Sequence, residues 1–190
     1  MKKATLTTLV LFSSLTLTAC QFGYIKSNYS DMSEKAEAAE AKDMPYAKAK
    51  IAFTVKTVTM TDGAKESEDQ KETLIYTYDS ETEAWTIGDR DANTDFDSTG
   101  LSMLNTKLSA MLASSAEDTE SDTTYYYSVT GNFKIHTESE GDLFGVPAKT
   151  TGDLFYNKYG LINKYAMSAK VEVDAKNSLS LSANFSVSYS

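Results

Sequence analysis

The strongest constraint on this chain is a run of strict alternation near its end. Leu179, Leu181, Ala183, Phe185, Val187 and Tyr189 hold the odd positions, and every even position between them is Ser or Asn. Successive side chains of a strand point to opposite faces, so the pattern specifies a β-strand with one buried and one wet face. A helix would scatter the same residues around its circumference. The segment before it repeats the pattern with Leu161, Tyr165, Met167, Ala169, Val171 and Val173, Asn163 being the one polar interruption. Ala175-Lys176-Asn177 separates the two. Tyr125, Tyr127, Val129, Gly131, Phe133 and Ile135 alternate in the same way. Because the phase survives Gly131, one long bent strand is expected there rather than a two-residue hairpin turn at Gly131-Asn132.

The rest of the body follows the same logic. Ile51, Phe53 and Val55 alternate with Ala52, Thr54 and Lys56, then the phase slips to Val58 and Met60, which predicts a bulge or twist. Thr61-Asp62-Gly63 is a turn signal, and the charged run Ala64 to Lys71 reads as a loop. Leu74, Tyr76 and Tyr78 alternate up to a turn at Asp79 to Thr82, and Trp85 and Ile87 complete a hairpin. Further on, Glu138 to Asp142 reads as a turn, Leu143–Val146 as a short strand stopped by Pro147, and Asn157-Lys158-Tyr159-Gly160 as a hairpin loop. One helix is expected from about Ser98 to Ser115, with Leu101, Leu104, Leu108, Met111 and Leu112 on one face and Asp95, Asp97 and Ser98 at its start. The fold class is therefore α+β: a curved antiparallel sheet, a half-barrel or incomplete barrel of about seven or eight strands, with one inserted amphipathic helix. A sheet solvated on one face needs apolar cover on the other, and a single helix covers it only if the sheet curls around it.

The first residues do not belong to this pattern. Lys2 and Lys3 precede Ala4 to Ala19, which holds no charge. This is the form of a secretory signal, too short and too rich in Ser and Thr for a permanent membrane span. It ends Leu17-Thr18-Ala19-Cys20, which resembles the lipobox of bacterial lipoprotein precursors. The resemblance implies a diacylglyceryl (palmitate-type) lipid on the Cys20 thiol and cleavage just before it. Residues 1–19 would then be a signal peptide, 20–48 the lipidated N-terminus and a tether, and 49–190 a single β-rich domain. The tether reading rests on Ser33 to Lys42, SEKAEAAEAK, a marginal helix or stalk whose only apolar residues are alanines. It would end before Pro45, because the residue preceding a proline disfavours helix. Such a protein is extracytoplasmic, lipid-anchored to the cell membrane or an outer membrane. Loss of Lys2 and Lys3 with the signal would take the net charge from −9 to −11, which predicts that the body is repelled by anionic headgroups and stands away from them. An anchored half-barrel is similar to the lipoprotein-carrier-like folds of the LolA/LppX type, which implies an apolar ligand held in the cup.

Composition removes several functions. One Cys and one His cannot build an internal disulfide or a structural zinc site, and the acidic balance argues against a nucleic-acid partner. No nucleophile elbow, phosphate loop or dinucleotide glycine pattern is present, so no catalysis is expected and no catalytic residue is assigned. Asp89, Asp91, Asn93 and Asp97 fall at positions 1, 3, 5 and 9 of a stretch that resembles an EF-hand calcium loop. It departs from that loop in having Thr94 for the turn glycine and Gly100 for the bidentate Glu, and the alternative is an acidic helix start. Tyr126 is a candidate aromatic contact for a sugar or peptide, and His136 lies on a polar strand face with no partner fixed by spacing. Leu101, Leu104, Leu108, Met111 and Leu112 either fill a plain core or line an apolar pocket between helix and sheet. Beyond the lipid on Cys20, calcium is the one cofactor the sequence suggests. The expected function is an anchored lipoprotein that binds or carries a small apolar molecule. The alternative is a structural or interaction module of the cell envelope, an adhesin or accessory subunit with a protein partner.

Overall fold

The alternation at residues 179–189 becomes the inner seam of the molecule. The computed structural model describes residues 23–88, 96–143 and 146–190. In chain order these form β1 (Tyr24–Ser27), α1 (Tyr29–Glu40), β2 (Lys48–Thr61), β3 (Ala64–Asp79), β4 (Ala84–Ile87), α2 (Phe96–Asn105) and α3 (Leu108–Glu117). Then come β5 (Ser121–Ser128), β6 (Phe133–Leu143), β7 (Val146–Tyr156), β8 (Ile162–Asp174) and β9 (Asn177–Tyr189). All strands join one open sheet in the order β1-β5-β6-β7-β8-β9-β2-β3-β4, with every neighbouring pair antiparallel. The α+β antiparallel architecture is as expected, with nine strands among the described residues rather than seven or eight, and three helices rather than one.

That strand order dictates where the helices lie. The chain leaves β4 at one edge and must reach β5 near the other, and α2 and α3 are its return path across the sheet. Likewise α1 carries the chain from edge strand β1 towards β2. The three helices share one face, with α1 against α3 and β5, and α2 against β4. Met32, Ala36 and Ala39 of α1 and Leu104, Leu108 and Leu112 of α2 and α3 are buried over Ile51, Phe53, Tyr76, Ile135, Phe185 and Val187 in one continuous core.

Several segments fold differently from the sequence reading. Residues 24–40, expected within a tether, form β1 and a packed helix. Asn28 caps α1 by accepting a hydrogen bond from Asp31 N at 2.9 Å, and its small buried face lets α3 approach closely. The charged run Ala64 to Lys71 is not a loop but the first half of β3, paired with β2 from Thr61↔Ala64 onward. The closing Asp62-Gly63 turn has φ of 52° and 83°, the paired left-handed geometry of a tight hairpin. No bulge interrupts β2, so Val58 and Met60 stand on the outer face. The segment around Gly131 is a hairpin, not a bent strand. Tyr127 pairs with Phe133, and the odd number of residues between them preserves the phase. Gly131 sits at φ 84° and Val129 at the tip is 84% exposed. Glu138 to Asp142 continues β6, and Pro147 lies inside β7 opposite Asp142. A register shift at Phe155/Tyr156 explains the interruption at Asn163, because Ile162 takes the inward place opposite Tyr156. The expected helix is two, broken at Thr106 and Lys107.

Candidate ligand-binding cavity

Of the five apolar helix positions expected at a pocket, only Met111 lines the cavity beneath the helices. Leu104, Leu108 and Leu112 are buried in the core, while Leu101 and Met111 are half-buried against it. The helices break between these positions. Thr106 N donates to Met103 O at 3.2 Å, and Thr106 Oγ1 donates back to Ser102 O at 2.8 Å, ending α2. Leu108 N then donates to Gly160 O at 3.3 Å, which pins the start of α3 to the β7–β8 loop. The two helices straddle a cavity of about 250 Å³ against the sheet. Thr99 and Met103 of α2, Thr106 at the break and Met111 of α3 form its roof. Leu154 and Tyr156 of β7, Ile162 and Tyr165 of β8, and Phe185 of β9 form its floor.

The floor is rigid. Tyr165 stacks on Phe185 with centroids 5.6 Å apart, and Phe53 meets the other side of Phe185 edge-on at 4.7 Å. The apolar surface continues past the helices along the inner face. Register places Met167 opposite Ala183, Ala169 opposite Leu181 and Val171 opposite Leu179.

The polar groups of the cavity are few. Tyr156 is fully buried and its hydroxyl has no hydrogen-bond partner. Burial, and secondarily the negative charge of Glu40, pushes its pKa well above the usual tyrosine value. Burial also raises Tyr165. Both phenols therefore stay neutral, and the described lining holds no carboxylate, histidine or thiol. Such a site can bind by dispersion and apolar burial and offers no evident acid–base chemistry.

The other candidates lie apart from this cavity. Cys20, Asp89, Asp91 and Asn93 are outside the described residues, and Asp97 falls in the first turn of α2. Tyr126 stands on the opposite, outer face of the sheet, with Lys134 Nζ 5.6 Å from its ring centre. His136 lies on that face too. Its Nδ1 is 2.8 Å from Asp153 Oδ1 and its Nε2 3.2 Å from Glu138 Oε1. Burial would raise Asp153, but hydrogen bonds from Lys134 and His136 outweigh it and hold the carboxyl below its usual range. The sequence reading missed this pair because His136 and Asp153 meet only through the β6–β7 register. It also missed Met103, Leu154 and Phe185 as cavity walls, although their strand and helix phases were readable.

No helix among the described residues is long and apolar enough to cross a membrane. No family model matches the sequence, and no curated protein matches it. Function must therefore be argued from the site.

Proposed function

We propose that the protein is a bacterial lipoprotein, held outside the cytoplasm by a lipid on Cys20, that binds a small apolar ligand between its helices and its sheet. The observation that carries this reading is the aromatic and aliphatic cavity under α2 and α3, continuous with the apolar strip of β8 and β9. At about 250 Å³ it is smaller than the roughly 300–1,000 Å³ of common ligand pockets. It suits a single acyl segment or ring, with the remainder of a longer molecule lying along Met167, Ala183 and Leu181. The protein acts in this reading by holding and releasing its ligand, without catalysis.

Native mass spectrometry of the protein purified from its own membranes tests both halves. The expected result is cleavage before Cys20, a mass increment for acyl chains, and a further increment that disappears on denaturation. Met111→Trp, which fills the cavity, should abolish the dissociable increment and leave the acylation. Retention of the increment by this variant, or its absence from a folded wild type, removes the ligand-binding proposal. An unmodified Cys20 removes the anchor. The alternative of an envelope interaction module finds support in the polar outer side of β9, where Ser180, Ser182, Asn184, Ser186 and Ser188 stand in line.

A further inference from the structure

The outer face of the sheet carries an order that the cavity does not use. One row of directly opposed residues crosses five strands. Lys26 of β1 faces Tyr126 of β5, Tyr126 faces Lys134 of β6, Lys134 faces Phe155 of β7, and Phe155 faces Lys164 of β8. Lysine and aromatic alternate along the whole row. Lys134 Nζ lies 5.6 Å from the Tyr126 ring centre and 5.3 Å from that of Phe155, and Lys164 Nζ lies 5.6 Å from Phe155. Tyr24 closes the row's flank, edge-on to Phe155 at 6.2 Å.

Three other lysines of the same face are placed differently, whereas Lys48, Lys50, Lys65 and Lys71 stand on it without aromatic neighbours in register. Of the three, Lys56 meets Asp69 at 4.0 Å, Lys149 meets Glu138 at 3.5 Å, and Lys170 meets Glu172. Those lysines are neutralised by carboxylates. In the aromatic row only Lys134 has such a partner, Asp153 at 2.8 Å. Lys26 and Lys164 are exposed and have no carboxylate partner among the described residues. A chain of net charge −9 thus keeps two of this row's three lysines without a carboxylate partner among the described residues. Strands lie about 4.8 Å apart, so the row's lysines recur about every 10 Å.

We propose that this row docks the sheet's outer face against an anionic lipid surface. Choosing lipid over another polyanion rests on the anchored reading: the row begins at Lys26, just after Cys20 and the uncharged segment Ala4 to Ala19. Lysines near an anionic leaflet are attracted to it, and tyrosines favour the headgroup level. The nearest carboxylates on this face, Asp153 and Glu138, are already engaged by Lys134, His136 and Lys149, so Lys26 and Lys164 keep their charge for the surface.

The test uses residues 21–190, which contain every described strand, helix and core residue but not Cys20. Its outcome is therefore independent of whether Cys20 is acylated. Co-sedimentation with vesicles of phosphatidylcholine alone is compared with vesicles containing phosphatidylglycerol. The expected result is binding to the anionic vesicles only, weakened by salt, with about a fivefold loss for each of Lys26→Gln and Lys164→Gln. Lys170→Gln, at a paired position, should change binding little, and circular dichroism should show all three variants folded. Equal pelleting with both vesicle types, or row variants that bind like wild type, overturns the proposal. So does tighter binding of soluble oligogalacturonate through the same lysines, which would make an acidic glycan the occupant.

Discussion

Glu40 caps a helix to which it does not belong: its Oε1 accepts a hydrogen bond from Ser109 N at 2.8 Å, and its Oε2 accepts one from Ser109 Oγ at 2.7 Å. Glu40 is the last residue of α1, and Ser109 is in the first turn of α3. The residue at the N-cap of α3, Lys107, makes no side-chain capping bond. The carboxylate therefore satisfies a first-turn amide and places negative charge at the positive end of the helix. Glu40→Ala should cost about 1–2 kcal/mol, and Glu40→Gln about half of that because the amide oxygen still accepts. The urea midpoint should fall in each case with an unchanged slope.

Tyr156→Phe should be neutral or stabilising by about 1 kcal/mol, an unusual outcome for a fully buried tyrosine. Its hydroxyl is out of water and unpartnered, so the polar atom adds only a desolvation cost. A rise in Tm is the expected reading, and a clear fall would mean that the hydroxyl has a partner in solution. The same substitution leaves the cavity walls in place, so any ligand bound without the hydroxyl should be retained.

Gly100→Ala should destabilise the protein although alanine is the better helix former. A Cβ at this position of α2 would stand 2.5 Å from Tyr76 Oη and 2.9 Å from Phe53 Cζ, both in the core. The gain in helix propensity is about 1 kcal/mol, whereas overpacking against fixed aromatic rings costs about 1–3 kcal/mol. The net loss should appear in thermal unfolding followed by the fluorescence of Trp85, which is buried beside Tyr78 and Tyr189.

The Asp153 carboxyl sets an acid dependence. Its folded pKa lies below the unfolded value of about 3.9, so its stabilising contribution is complete above that value and is lost as pH falls through the folded one. Asp153→Asn should therefore lower the urea midpoint at pH about 7, by about 1 kcal/mol given its partial exposure. The difference from wild type should shrink steadily below pH about 4. A gap that stays constant across the whole range would mean that the carboxylate contributes through shape alone.

Much of this fold was legible because one face is dry. β9, the inner side of β8 and the β3–β4 hairpin each announce themselves by alternation between Leu, Phe or Tyr and Ser or Thr. The missed pieces are those where burial writes no contrast. Residues 64–71 carry Glu66, Glu68 and Gln70 on the inner side and Lys65, Asp69 and Lys71 on the outer, and all are exposed. Only backbone pairing to β2 makes them a strand. Helix α1 hides its packed face in alanines, which carry little hydrophobic signal yet allow the closest approach. The break at Thr106 and Lys107 is invisible to a 3/4 count because the leucine stripe resumes in phase on α3. The cavity was half readable: the stripe named Met111, but the floor depends on which strands become neighbours, and that is set by β9 pairing with β2.

That pairing has a consequence in time. β2, β3 and β4 on one side, and β5 to β8 on the other, are meanders that can assemble from nearby sequence. Only β9 joins them, with Ile51 opposite Val187 and Phe53 opposite Phe185, and it follows all the others along the chain. Until β9 arrives, each half exposes a raw strand edge at what becomes the middle of the sheet, and the helices have no complete floor to cover. Such long-range closure makes the final step slow and leaves a nascent chain pliable until β9 has emerged.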